Sequence, residues 1–143
     1  MGDVGESCCG GQVMSVKLTV AEQELRKVSE KELQSRMMAF ARLYGWRVAH
    51  FHDSRRQVRP GVFVGDADAK GFPDLVLVHP RFGFACLELK KEVGKLSPEQ
   101  TDWLDDLVRA GIHALVVRPS REVEVCTWLS RGFPSLGVVS GLR

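Results

Sequence analysis

"GFPDLVLVHPRFGFACLELKK", residues 71–91, holds two apolar runs joined by the turn-forming "HPRF", and the fold turns on how this stretch is read. Short runs of Val, Leu, Phe and Cys bounded by Gly and Pro read as buried strands, so a central β-hairpin is expected. Three of its charged residues stand where aliphatics would pack better: Asp74 near the start, Glu88 and Lys90 near the end. Side chains alternate faces along a strand, which puts Phe84, Cys86, Glu88 and Lys90 on one face. Antiparallel pairing through the turn then sets Asp74 beside Glu88, with Lys90 one pleat beyond. Spacing alone admits two readings, a plain cross-strand ion pair at a sheet end or a polar site.

On the N-terminal side, "LTVAEQELRKV" (18–28) and "SEKELQSRMMAFARLYG" (29–45) each open on a capping box, Thr19 with Glu22 and Ser29 with Glu32, which predicts one helix or two. Leu33, Met37, Phe40, Ala41 and Tyr44 recur at helical spacing, and Gly45 ends the stripe. "WRVAHF" (46–51) alternates like a strand. Residues 52–71 combine Gly, Asp, Pro and three arginines, predicting a long loop with at most a brief strand at "VFV". Past the hairpin, "LSPEQTDWLDDLVRAG" (96–111) carries Ser97 as N-cap, Pro98 in the first turn and Gln100 closing a capping box, which predicts a helix. "IHALVVR" (112–118) predicts a buried strand and "SREVEVCTWLSRG" (120–132) a last helix. The order α, β, β, β, α, β, α predicts an α/β chain. Residues 1–15, small and Gly-rich, are expected to form a flexible tail, 16–132 one domain, and 133–143 a C-terminal tail.

Bulk properties set limits. A chain of 143 residues, 44% hydrophobic and 27% charged, is one domain's worth of globular sequence. No apolar run approaches the roughly 20 residues of a bilayer span, and no signal-peptide pattern appears, so a cytoplasmic setting is expected. Cys8 and Cys9 are adjacent, while Cys86 and Cys126 sit in apolar runs, which fits neither a zinc knuckle nor a disulfide framework. The latter two are expected to be buried free thiols. A net charge of +2 is too mild to name a polyanionic partner by itself.

Two carboxylates and a lysine at one strand end suit a hard divalent cation such as Mg²⁺, which takes one or two carboxylates plus water and substrate phosphate. Such an ion neutralises charge on a phosphodiester and activates a bound water. Carboxylates beside Lys90 favour its charged form, so its expected part is to hydrogen-bond the attacking water or the scissile phosphate rather than to take a proton.

Pro73-Asp74, thirteen residues, then Glu88-Leu89-Lys90 resembles the PD-(D/E)xK nuclease signature. The surroundings are more specific: "DSRRQ", "KGFPDLVLV", "LELKKEVGKLSPEQTDWL" and "AGIHALVVRPS" resemble the VRR-Nuc family of virus-type replication and repair nucleases, over about residues 29–130. The resemblance implies a restriction-endonuclease-like αβββαβ core with a mixed central sheet. It implies that Asp74 and Glu88 bind Mg²⁺, with Mn²⁺ able to substitute, that the Leu89 carbonyl is a third ligand, and that Lys90 is the catalytic lysine. It further implies a homodimer that cuts branched DNA such as four-way junctions, in the cytoplasm of a bacterial or phage-infected cell. The other classes open to the chain are a silent DNA-binding or assembly module on the same fold, and a flap or exonuclease activity.

Such families place an acid and a glutamine on the first core helix. At 100° per residue Glu30 falls roughly 50° from the inward direction of the stripe and Glu32 roughly 110° away. Glu30 and Gln34 are therefore the expected site residues and Glu32 the helix cap. Gln100 is expected either to serve only its capping box or to reach the site as well. Arg55, Arg56 and Arg59, with His52 and with Lys91 and Lys95, are candidate phosphate contacts. Asp66 and Asp68 rank below Asp74 and Glu88 as metal carboxylates, because a loop is a poor platform. His50 and His52 without a third ligand are a weak metal pair.

Overall fold

The computed structural model describes residues 17–51, 56–60, 62–64 and 69–135, with backbone alone for 56–59 and 62–64. The first helical region is two helices, α1 (Val20–Lys27) and α2 (Glu30–Leu43), each started by its complete capping box. At α2 the Ser29 amide donates to Glu32 Oε2 at 2.8 Å and the Glu32 amide to Ser29 Oγ at 3.2 Å, so two of the orphan amides of a helix start are satisfied reciprocally. Leu33, Met37 and Ala41 form its buried stripe. Tyr44, expected on that stripe, is 43% exposed: it is the C-cap, where the chain has already left the helical path, and its ring stacks on Phe40. Gly45 takes the left-handed φ of 84° that turns the chain into the sheet.

Strand β1 (Arg47–His50) leads into a two-stranded antiparallel hairpin, β2 (Arg56–Arg59) and β3 (Val62–Val64). The arginine-rich segment expected as loop therefore contains a strand. Its "RQVR" has no apolar alternation to announce it, and the strand exists through its pairing with "VFV". Then come β4 (Leu75–His79), β5 (Gly83–Leu89), α3 (Pro98–Arg109), β6 (His113–Val117), a 3₁₀ turn (Pro119–Arg121) and α4 (Glu122–Arg131).

The main sheet runs β1-β4-β5-β6, antiparallel except for the parallel β5–β6 pair that α3 connects. This is the expected α/β core with a mixed sheet flanked by helices. Leu75, Leu77, Leu87, Leu89 and Val117 face α2 and α4 on one side, where Trp46 also donates its indole N–H to the Leu129 carbonyl at 2.8 Å. Cys86, Ala114 and Val116 face Leu104 of α3 on the other. Cys86 and Cys126 are free thiols, and burial pushes both up to about 11, so neither is a ready nucleophile. Phe133, read as part of the C-terminal tail, packs on Trp46 and stacks on His113. No described helix is long and apolar enough to cross a membrane.

Candidate nuclease site

The β4–β5 register pairs Leu75 with Leu87, so one step further brings Asp74 opposite Glu88 at the end of the hairpin. Both follow the alternation that points Val76 and Cys86 toward α3. The Leu89 amide donates to Asp74 Oδ2 at 2.8 Å and fixes that carboxylate. Glu88 is 1% exposed, the one charged side chain buried among the described residues. Lys90, on the same face, sets its ammonium 3.1 Å from Glu88 Oε1. Gln100 donates from Nε2 to that same oxygen at 2.5 Å while its Oε1 accepts from the Ser97 amide at 2.9 Å. One side chain thus caps α3 and holds Glu88, so Gln100 reaches the site as well as serving its capping box. Glu88 Oε2 is left buried with no hydrogen-bond partner among the described residues.

Electrostatics follow from this crowding. Burial, then the charge of Asp74, pushes the Glu88 carboxyl up to about 7 against the pull of Lys90, with Glu30 adding to the rise. Asp74 is also raised, chiefly by burial, against the Leu89 amide and Lys90. Two raised carboxyls side by side, one with an orphaned oxygen, form a site where a cation is electrostatically wanted. Among the described residues no three His, Cys, Asp or Glu side chains gather into a ready metal cage. That does not conflict with Mg²⁺, which takes one or two carboxylates and keeps several waters, whereas a closed structural site needs more side chains.

The helix residues divide. Glu30 Oε1 accepts from the Lys91 amide at 3.3 Å, which ties the start of α2 to the end of β5 near both carboxylates. Glu32 is engaged in the capping box. Gln34 Nε2 lies 3.1 Å from His50 Nδ1, and the field of His50 acts in turn on Asp74, so Gln34 approaches the site through His50. Lys91 and Lys95 are exposed near the same strand end. Arg56 and Arg59 lie in β2, which is described by its backbone alone; His52, Arg55, Asp66 and Asp68 lie outside the described residues.

The model of the VRR-NUC domain family matches residues 22–121, which contain every one of these groups. The chain belongs to the VRR-NUC family. No curated protein and no solved structure matches it. In this VRR-NUC domain the sequence reading left two local features out. His50, which the sequence pairs with His52 as a weak metal pair, turns instead toward α2 and Gln34 by its parity with Val48. Arg118 was not singled out: its Nη1 donates to the carbonyls of Lys91 at 2.7 Å and Gly94 at 2.8 Å, and so clamps the turn that follows Lys90. Its only sequence signal is a charge directly after an apolar run.

Proposed function

We propose that this VRR-NUC domain is a Mg²⁺-dependent DNA endonuclease that hydrolyses phosphodiester bonds in branched DNA, with Mn²⁺ able to substitute. The observation that carries the reading is the pairing of Asp74 with a buried Glu88 whose Oε2 has no partner among the described residues, a donor left open on a site of oxygen ligands. Asp74, Glu88 and the Leu89 carbonyl would hold the ion, with Glu30 as an outer carboxylate. When bound, a hard cation there neutralises charge on the phosphodiester and favours ionisation of water. Gln100 and the Leu89 amide orient the two carboxylates before substrate arrives. Lys90 donates hydrogen bonds to the scissile phosphate or to the attacking water. Lys91, Lys95 and the arginines of residues 55–59, with His52, contact flanking phosphates and so position the strand without reading its sequence. A homodimer in the cytoplasm would supply the symmetric pair of cuts that a four-way junction requires.

The test incubates the protein with a four-way junction, a flap, a linear duplex and single strands, in Mg²⁺, Mn²⁺ or EDTA. Cleavage should favour the branched substrates, vanish in EDTA, and fall by roughly a hundredfold or more in Asp74→Ala, since the metal supplies several kcal/mol at one decade per ~1.4. Cleavage that ignores EDTA or survives Asp74→Ala overturns the mechanism. Binding of junctions without cutting in either metal gives the protein instead the role of a silent DNA-binding module.

A further inference from the structure

Three aromatic rings lie at the carboxylate end of the sheet with no part in the chemistry above. Phe51 and Phe72 pack edge to face, centroids 5.3 Å apart at 77°, and Phe72 meets Trp103 of α3 likewise at 5.0 Å and 87°. The Trp103 indole N–H donates to the Lys70 carbonyl at 3.0 Å, which anchors the inner end of the row. The outer end is wet: Phe51 is 48% exposed.

Position gives the row its meaning. The Phe51 amide donates to the Asp74 carbonyl at 2.9 Å, which carries the β1–β4 ladder one step beyond the His50–Leu75 pair. Asp74 is itself one step beyond Leu75–Leu87, opposite Glu88. Phe51, Asp74 and Glu88 therefore stand in one row across three strands, each about 4.8 Å from the next, on the face toward α3. A strand laid with its scissile phosphate on the two carboxylates reaches Phe51 within a nucleotide or two, since stacked bases rise about 3.4 Å each.

We infer that the Phe51 ring, braced by Phe72 and Trp103, is a stacking platform for an unpaired nucleobase next to the scissile phosphate. The inference rests on the nuclease reading of the site and names what that site selects. Every base has a π-face, so such a platform is indifferent to sequence. A base within a duplex has both faces covered by its neighbours; one at a branch point, gap or flap end has a face to give. The platform thus converts a site for phosphodiesters into one for DNA with unpaired bases.

The experiment measures binding of the full chain, with Ca²⁺ in place of Mg²⁺, to a duplex carrying a short bubble with 2-aminopurine and to the same duplex fully paired. Wild type should bind the bubble more tightly and quench the probe. Phe51→Ala and Phe51→Leu should each weaken bubble binding by roughly 5- to 100-fold, the range of one lost stacking contact, while duplex affinity moves less than about twofold. Phe51→Trp should retain both affinity and quenching. Equal wild-type affinity for the two DNAs, a Phe51→Leu that binds like wild type, or equal losses on both DNAs would overturn the platform. Because the readout is binding, a protein that passes here yet never cuts in Mg²⁺ or Mn²⁺ refutes the nuclease reading alone. One that cuts but fails here refutes the platform alone.

Discussion

Glu88 is the residue at which stability and chemistry conflict. A buried carboxylate is costly unless paired, and here its partners, Lys90 and Gln100, both use Oε1 and leave Oε2 without a hydrogen bond among the described residues. Its folded carboxyl is pushed up to about 7 from the 4.5 of an unperturbed glutamate. Between those values the metal-free fold retains a proton that the unfolded chain has released, so stability falls as pH rises through that window and levels off above it. Asp74, raised for the same main reason, acts in the same direction. Urea midpoints measured in EDTA from about pH 5 to about pH 8 should therefore drop in wild type more than in Glu88→Gln, which keeps the shape and cannot ionise. A Glu88→Gln slope as steep as that of wild type would show that the burial of this charge costs the fold nothing.

Among the elements, α3 is the one whose placement decides the site, because its cap residue Gln100 is also the support of Glu88. Its N-terminus is seated by the segment before β4: Lys70 pairs with Glu99 at 2.5 Å, and Gly71, at φ 82°, leaves room for nothing larger. A Cβ there would stand 2.5 Å from the Glu99 carbonyl carbon and 2.7 Å from the Gln100 amide, both backbone. Gly71→Ala should cost about 1–3 kcal/mol in a urea titration and lower cleavage further than the unfolded fraction explains, by displacing Gln100. Cleavage per folded molecule equal to wild type would refute the coupling. Much of this was legible beforehand. The capping boxes at Thr19, Ser29 and Ser97 fixed three helix starts, and the parity of Glu88 and Lys90 with the antiparallel turn put Asp74 beside them. What stayed hidden depends on pairing and on packing between elements, which periodicity does not report. β2 exists through pairing with β3, and which of the two readings of Gln100 holds is decided by the parallel β5–β6 crossover that folds α3 over Glu88.

For the whole molecule, the carboxylate row lies at one end of a sheet cored on both faces, by α2 and α4 on one side and α3 on the other. Neither a net charge of +2 nor composition announces this site; its electrostatics come from two acids forced together by register inside an otherwise apolar frame. An ion that binds only the folded pair stabilises the entire domain, by about 2.7 kcal/mol at one hundred times its dissociation constant. An ion held by the proposed ligands would compete with the proton on Glu88, which gives the gain a predictable pH dependence: large near pH 8, where that carboxyl is already ionised, and shrinking toward about pH 6, where a proton must first be expelled. Thermal unfolding with and without Mg²⁺ or Mn²⁺ should show a rise in Tm that follows this profile in wild type and is absent in Asp74→Ala. A rise that persists in Asp74→Ala would place the ion elsewhere, and a wild-type rise flat across that pH range would mean that the Glu88 proton is not displaced when the ion binds.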